Sequence, residues 1–425
     1  MRVPVRSKGV MPFRPYFLGI IAFAIVFFAG AIFVSAQTTT DFAPWKDAKN
    51  IDAIPDWARV MLPRDFRGVT GTAREELLAK TLSALVDIVS DSEVVPATRY
   101  NAILAAGQLE TMPGSPGSPP TAYPAALTYL VDLYQRADTP HYLQYGALLG
   151  IVRHAIMGLD SDQRDKVIEL FLATVTSEFA PGHALPLEPE VWDWFRHTAL
   201  DGLSALKTTG TDGKVVEELL LLINDQSQEL EEWSRTYQAV LNREAWQRIR
   251  RTLELASKAV KTLGDLDYAS VPNVDAGIMT DTFIRLTKAA CEVKSRIIVD
   301  AIEQKEVTPN PAALREQIVV NLKTCVQSVV WGIKSGFLTA RPRENSFYAS
   351  LQNDEPAIKR LDVLMSEIAV LSTFFDEGVR ERRSGALPGV AKAFKFDLAE
   401  LRDALKKCSE SLPDNQEKSR ILDAE

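Results

Sequence analysis

Apolar side chains that return every three or four residues constrain this chain more than any other feature of its sequence. Within residues 73–90, Leu77, Leu78, Leu82, Leu85, Val86 and Val89 fall on one broad face of a 3.6-residue helix. Stretches of similar pattern follow at 97–110, 122–137, 140–159, 162–179, 189–207, 213–226 and 230–263. Two-residue apolar/polar alternation is rarely sustained and no Asn-Gly hairpin signal occurs, so strands have little support. The pattern predicts an all-α chain. It breaks where a helical backbone cannot continue, at the Pro- and Gly-rich run 113–120 and again at 181–189. At 425 residues the chain is too long for one ordinary core.

Several of these stretches share a register. Arg99-Tyr100-Asn101-Ala102-Ile103 is echoed by Gln144-Tyr145-Gly146-Ala147-Leu148 and by Arg196-His197-Thr198-Ala199-Leu200, and more weakly by Thr236-Tyr237-Gln238-Ala239-Val240. Three residues beyond the first three alanines stand Ala105, Gly150 and Gly202. Small side chains so spaced let a second helix approach closely, while flanking Leu and Ile fill the layer between. In this register the chain resembles the second helix of a HEAT or armadillo-type repeat, over about residues 73–263. The interval between echoes varies, and Pro-rich insertions interrupt the array. The resemblance implies a HEAT-like α-solenoid, in which stacked helix pairs share a core and expose a long concave surface.

Residues 264–277, rich in Gly, Asp and Pro, read as a linker. Beyond it the apolar spacing becomes near-heptad in four successive helices, beginning at Phe283, Leu314, Ile358 and Phe394. Such seams suit packing at shallow crossing angles, and predict a C-terminal helical bundle of four helices over 278–412. Residues 413–425 read as a solvated tail.

The other end of the chain carries a different signal. No charged side chain occurs from Pro15 to Thr40, and residues 17–33 are almost wholly apolar. Arg2, Arg6, Lys8 and Arg14 precede that run and the first acid, Asp41, follows it, an asymmetry that keeps the N-terminus cytoplasmic and sends the rest across. As a helix, residues 17–36 would span roughly 30 Å, enough for a bilayer. Val34-Ser35-Ala36 ahead of Gln37 also suits a signal peptidase. Residues 1–36 are therefore read as a signal peptide or a membrane anchor, and 37–72 as a spacer and lead-in. The body is expected in the cell envelope, held by a single-pass inner or plasma membrane anchor, or secreted or periplasmic after cleavage behind Ala36.

Net charge is −8, and the leader holds four cations and no acid, so the body alone is more acidic still. Nothing in that balance recommends nucleic acid as a partner. Walker-type, Rossmann, Gly-x-Ser-x-Gly and Cys-x-x-Cys motifs are absent, and the four histidines His141, His154, His183 and His197 lack ligand spacing. No residue is thus assigned to catalysis, to a cofactor or to a metal. The cysteines all lie in the C-terminal region; Cys291 and Cys325 come to similar heights if their helices fold back on one another, so a disulfide between them is one expectation and buried free thiols the other. Arg243, Arg248, Arg250 and Arg251 begin a basic stripe that reads as a recognition patch for an acidic partner or as a solvated face. Trp192 and Trp194 stand beside Glu188, Glu190 and Asp193, either as a saccharide-type site or as a lid on the core. Two functions stay open: a noncatalytic scaffold of the envelope with an unidentified protein partner, or an extracytoplasmic enzyme acting on wall polymer or glycan through a site assembled from distant helices.

Overall fold

The computed structural model describes residues 54, 58, 65–177, 187–236, 243–270, 275–303, 311–335, 342–351, 354–383 and 398–413. The hydrophobic leader, the start of the spacer, the echo at Tyr237 and Ala239 and nearly all of the tail lie outside them. Among the described residues no helix is long and apolar enough to cross a membrane. Thirteen α-helices account for almost all of the secondary structure among the described residues: α1 Gly71–Ser90, α2 Pro96–Ala106, α3 Pro124–Gln135, α4 His141–Met157, α5 Ser161–Thr176, α6 Pro189–Leu206, α7 Lys214–Thr236, α8 Arg243–Asp265, α9 Ala276–Glu303, α10 Pro311–Lys334, α11 Phe347–Ser350, α12 Glu355–Arg383 and α13 Leu398–Ser411.

The chain is all-α as its periodicity predicts, with local corrections. The stretch expected to be helical through residue 110 leaves the helix after Ala106. Glu110–Met112 (β1) instead pairs antiparallel with Thr121–Ala122 (β2), and the Pro-rich run forms the loop between them. Among the described helices four open on proline, at the first positions of α2, α3, α6 and α10, where the missing N–H has no intrahelical acceptor to lose. The polar run at 224–228 does not end a helix. The Ser227 hydroxyl folds back onto the Ile223 carbonyl at 2.7 Å, buried, so α7 continues to Thr236.

The helices associate in a regular order. α1 packs on α2, α3 on α4, α5 on α6, α7 on α8 and α9 on α10; each even-numbered helix from α2 to α10 also packs on the next even one. A second row joins α5 to α7 and α7 to α9, and α12 and α13 close against α9 and each other. Arg360 on α12 pairs with Asp281 on α9. One apolar cluster runs from Ile54 to Leu412. The segment read as a linker is crossed by this packing: Leu266 and Tyr268 are buried, and the Tyr268 hydroxyl donates to the Leu263 carbonyl at 3.0 Å.

The shared sequence register acquires a physical meaning here. Ala102, Ala105, Ala147, Gly150, Ala199 and Gly202 are all buried. A Cβ added to Gly107 would stand 2.6 Å from the Gly150 Cα, and one added to Gly202 would stand 2.3 Å from the Phe171 ring. Further along the row, a Cβ on Gly264 would meet the Trp331 carbonyl oxygen at 2.3 Å, and one on Gly332 would meet Val260 Cγ1 at 2.8 Å. The first residue of the register has its own task. Arg99 Nε donates to the Val89 carbonyl at 2.8 Å, Gln144 Nε2 to the Tyr134 carbonyl at 2.9 Å and Arg196 Nε to the Val175 carbonyl at 2.8 Å. In each pair the acceptor is the next-to-last residue of the first helix, where carbonyls have run out of intrahelical donors.

In an exposed helix interior, Gly→Ala gains about 1 kcal/mol. At Gly264 the sign reverses, because the new methyl collides with backbone rather than with a movable side chain end. Gly264→Ala is expected to lower stability by about 1–3 kcal/mol, read as the midpoint of chemical denaturation.

Candidate functional site

The even-numbered helices carry a run of polar and aromatic side chains that touch from one helix to the next. Tyr100 of α2 lies against Gly146 of α4. Tyr145 of α4 meets Trp194 and Phe195 of α6, with ring centroids 6.5 and 5.1 Å apart, and its hydroxyl accepts from Thr198 Oγ1 at 3.3 Å. Between α6 and α8, Lys258 pairs with Asp201, and Ser204 bonds Thr262 at 3.2 Å. Lys261 of α8 lies 6.0 Å from the centre of the Trp331 ring on α10, whose indole N–H donates to Asp265 at 2.8 Å. Arg343 covers the same ring at 5.4 Å. Phe195, Thr198 and Thr262 are buried, while Tyr100, Tyr145, Trp194, Asp201, Lys258, Lys261 and Trp331 are partly or fully exposed over that core.

Trp192 and Trp194 do not form one aromatic pair. Two residues apart on a helix, they leave on different sides. Trp192 is 5% exposed, stacked 5.2 Å from Phe195 and donating to the Ser177 carbonyl at 2.9 Å; Trp194 is 58% exposed. The acids beside them serve α8: Arg251 pairs with Glu190 at 3.0 Å and with Asp193 at 3.6 Å. Burial nevertheless holds the Asp193 carboxyl above its usual range, with Arg251 opposing.

The basic stripe is largely neutralised within the molecule. Arg248 pairs with Glu229 and lies 5.7 Å from the Trp233 ring centre, and Arg250 reaches Glu254 at 3.8 Å. The Arg243 side chain lies outside the described residues. What the surface offers at Arg248, Arg250 and Arg251 is therefore a set of ion pairs, each of small energetic weight.

A separate cavity of about 580 Å³ lies at the N-terminal end, where the approach to α1 meets β1. Arg74 spans it, donating through Nη1 to the Phe66 carbonyl at 3.2 Å and through Nη2 to the Glu110 carbonyl at 2.8 Å, over the Phe66 ring. Glu110 is the one carboxylate among its described lining residues, which also include Arg67 and Arg153. Burial raises the Glu110 carboxyl while Arg74 and Arg153 pull it down. A lone acid among arginines lacks the second carboxylate that glycoside hydrolysis uses.

Cys291, Cys325 and Cys408 are all buried and carry free thiols here. Cys408 lies beside Cys291, and contact with it, then burial, raises the Cys291 thiol well above its usual range. Cys325 is pushed up to about 11 by burial, partly offset by a hydrogen bond from Ser257 and the charge of Lys294. Lys294 itself is buried beside Trp246, its ammonium 5.9 Å from the ring centre, and desolvation brings it down to about 8. Among the described residues no three His, Cys, Asp or Glu side chains converge so as to hold a metal ion. The chain matches no protein-family model, no curated protein and no solved structure.

Two expectations follow from these environments. Trp192→Ala should cost about 3–5 kcal/mol, whereas Trp194→Ala should stay within about 0.5 kcal/mol of the parent, as measured by chemical denaturation. His154 on α4 is fully buried, near the Ala106 backbone but with no well-formed hydrogen bond at either ring nitrogen, and desolvation lowers it to about 4. The unfolded chain, with an ordinary imidazole, then binds the proton that the folded chain refuses. Stability from this group is complete above about pH 6.5 and falls with acidification toward pH 4, by at most about 3 kcal/mol. Denaturation midpoints of parent and His154→Leu across that window should differ in slope, the parent being steeper; equal slopes would remove His154 from the account.

Proposed function

We propose that this chain is a noncatalytic interaction protein of the cell envelope. Its body is read as an α-solenoid of HEAT-like helix pairs followed by a helical bundle, carried outside the cytoplasm by residues 1–36. The even-helix face is the surface that meets a protein partner. The observation that carries this reading is the run of contacts at Tyr100–Gly146, Tyr145–Trp194, Asp201–Lys258 and Lys261–Trp331, which joins the five even-numbered helices from α2 to α10. Large aromatic side chains held in place by a rigid scaffold dominate protein–protein affinity, and at 58% exposure Trp194 has most of its surface still to bury. The self-paired charges around it supply orientation and selectivity, since each can exchange its partner across an interface at little cost.

The enzyme reading draws on the cavity beside α1. Its single described carboxylate and its arginines fit an acid/base pair poorly, and this favours the binding reading.

Cross-linking in intact cells followed by mass spectrometry tests the proposal. A reproducible envelope protein should be captured, and Trp194→Ala should lower its recovery by about tenfold or more, a loss of about 1.4 kcal/mol. Val363→Ala, a change at an exposed apolar position on α12, should not. Self-products alone, or equal losses at both positions, would count against the even-helix face.

A further inference from the structure

We infer that Cys291 and Cys408 are the two halves of a disulfide that fastens α13 to α9. Cys408 is an immediate neighbour of Cys291, and both are buried in the interface of the two helices. The next residue on each helix repeats the match: Ser409 Oγ donates to Glu292 Oε1 at 2.9 Å, so two consecutive positions fix the register of α13 on α9. Cys325 also lies near Cys291, but its thiol contacts Ser257 of α8 and faces the charge of Lys294.

The chemistry is thiol–disulfide exchange with an oxidised dithiol or glutathione disulfide. One cysteine, as its thiolate, attacks the external disulfide, forming a mixed disulfide and releasing one thiolate that takes up the proton lost. The second cysteine then attacks the chain's own sulfur in that mixed disulfide and expels the other half. Two cysteine thiols and one external disulfide become one internal disulfide and two external thiols; the two electrons pass to the oxidant. The contact with Cys408, and then burial, hold the Cys291 thiol protonated once α13 is docked, so exchange takes place before that docking is complete. The oxidant is what an exported location supplies, and to that extent the inference rests on the proposed compartment; the pairing itself rests on the helix register alone.

The test uses the full-length chain in detergent, reduced and unfolded, then refolded with glutathione disulfide or with dithiothreitol. Denatured samples are alkylated and mapped by mass spectrometry without reduction. With glutathione disulfide, one alkylated site at Cys325 is expected, together with a linked peptide pair containing Cys291 and Cys408, two hydrogens lighter than the free peptides. Cys325→Ser should leave that pair intact and Cys291→Ser should abolish it. Three alkylated sites, or a bridge through Cys325, would overturn the inference. The same mapping on protein taken directly from cells separates the two premises: a bridge that forms on refolding but is absent from cellular material argues against the exported location and leaves the pairing standing.

Discussion

Close approach between successive even-numbered helices is the constraint on which the rest of this structure depends. At Gly107 against Gly150, and again at Gly264 against the Trp331 backbone, the separation leaves no room for a single added methyl group. Where the second helix contributes glycine, it can seat a bulky neighbour: the Phe171 ring occupies the space that a side chain at Gly202 would claim. Interiors packed at crystal-like density transmit such restrictions to their surroundings. The row from α2 to α10 is thus positioned backbone to backbone at these crossings, and the side chains standing on it inherit that precision.

Much of this was legible in the residues themselves. Three- and four-residue apolar spacing identifies the helices, and the alanine and glycine positions of the register are the ones that turn out to be buried at helix contacts. What could not be read is mostly tertiary. The polar run at 224–228 resembles a break until Ser227 is seen to satisfy itself against Ile223. Arg248, Arg250 and Arg251 form a free stripe along the sequence, but their carboxylate partners come partly from α6 and α7, which no linear pattern announces. Trp192 and Trp194 look like a pair until helical geometry sends them apart. Cys408 was visible on its seam; its meeting with Cys291 depends on how far α13 slides along α9, and spacing within one helix does not encode that distance.

The electrostatics of the molecule follow a common rule. Charged groups that are partly buried meet an opposite charge, as with Arg285 and Glu231 at 2.8 Å, or settle over an aromatic ring, as with Lys294 beside Trp246. The buried imidazole of His154 takes the remaining route and stays neutral. An acidic body of this kind has little long-range attraction for polyanions, and in the proposed role its recognition would rest on shape and on aromatic contact at short range.

The side-chain clamps at Arg99, Gln144 and Arg196 have a mechanical consequence. Each ties the end of one helix to its own partner, so the bonds to backbone termini lie inside the helix pairs. Between pairs, side-chain packing, ion pairs and hydroxyl contacts such as Tyr134 to Thr174 at 2.7 Å can slip and re-form, while single backbone bonds such as Asp267 N–H to the Lys207 carbonyl at 3.1 Å pin the seams at points. Strain applied along the row is therefore taken up at the seams between stiff units, and the array yields there as a jointed spring.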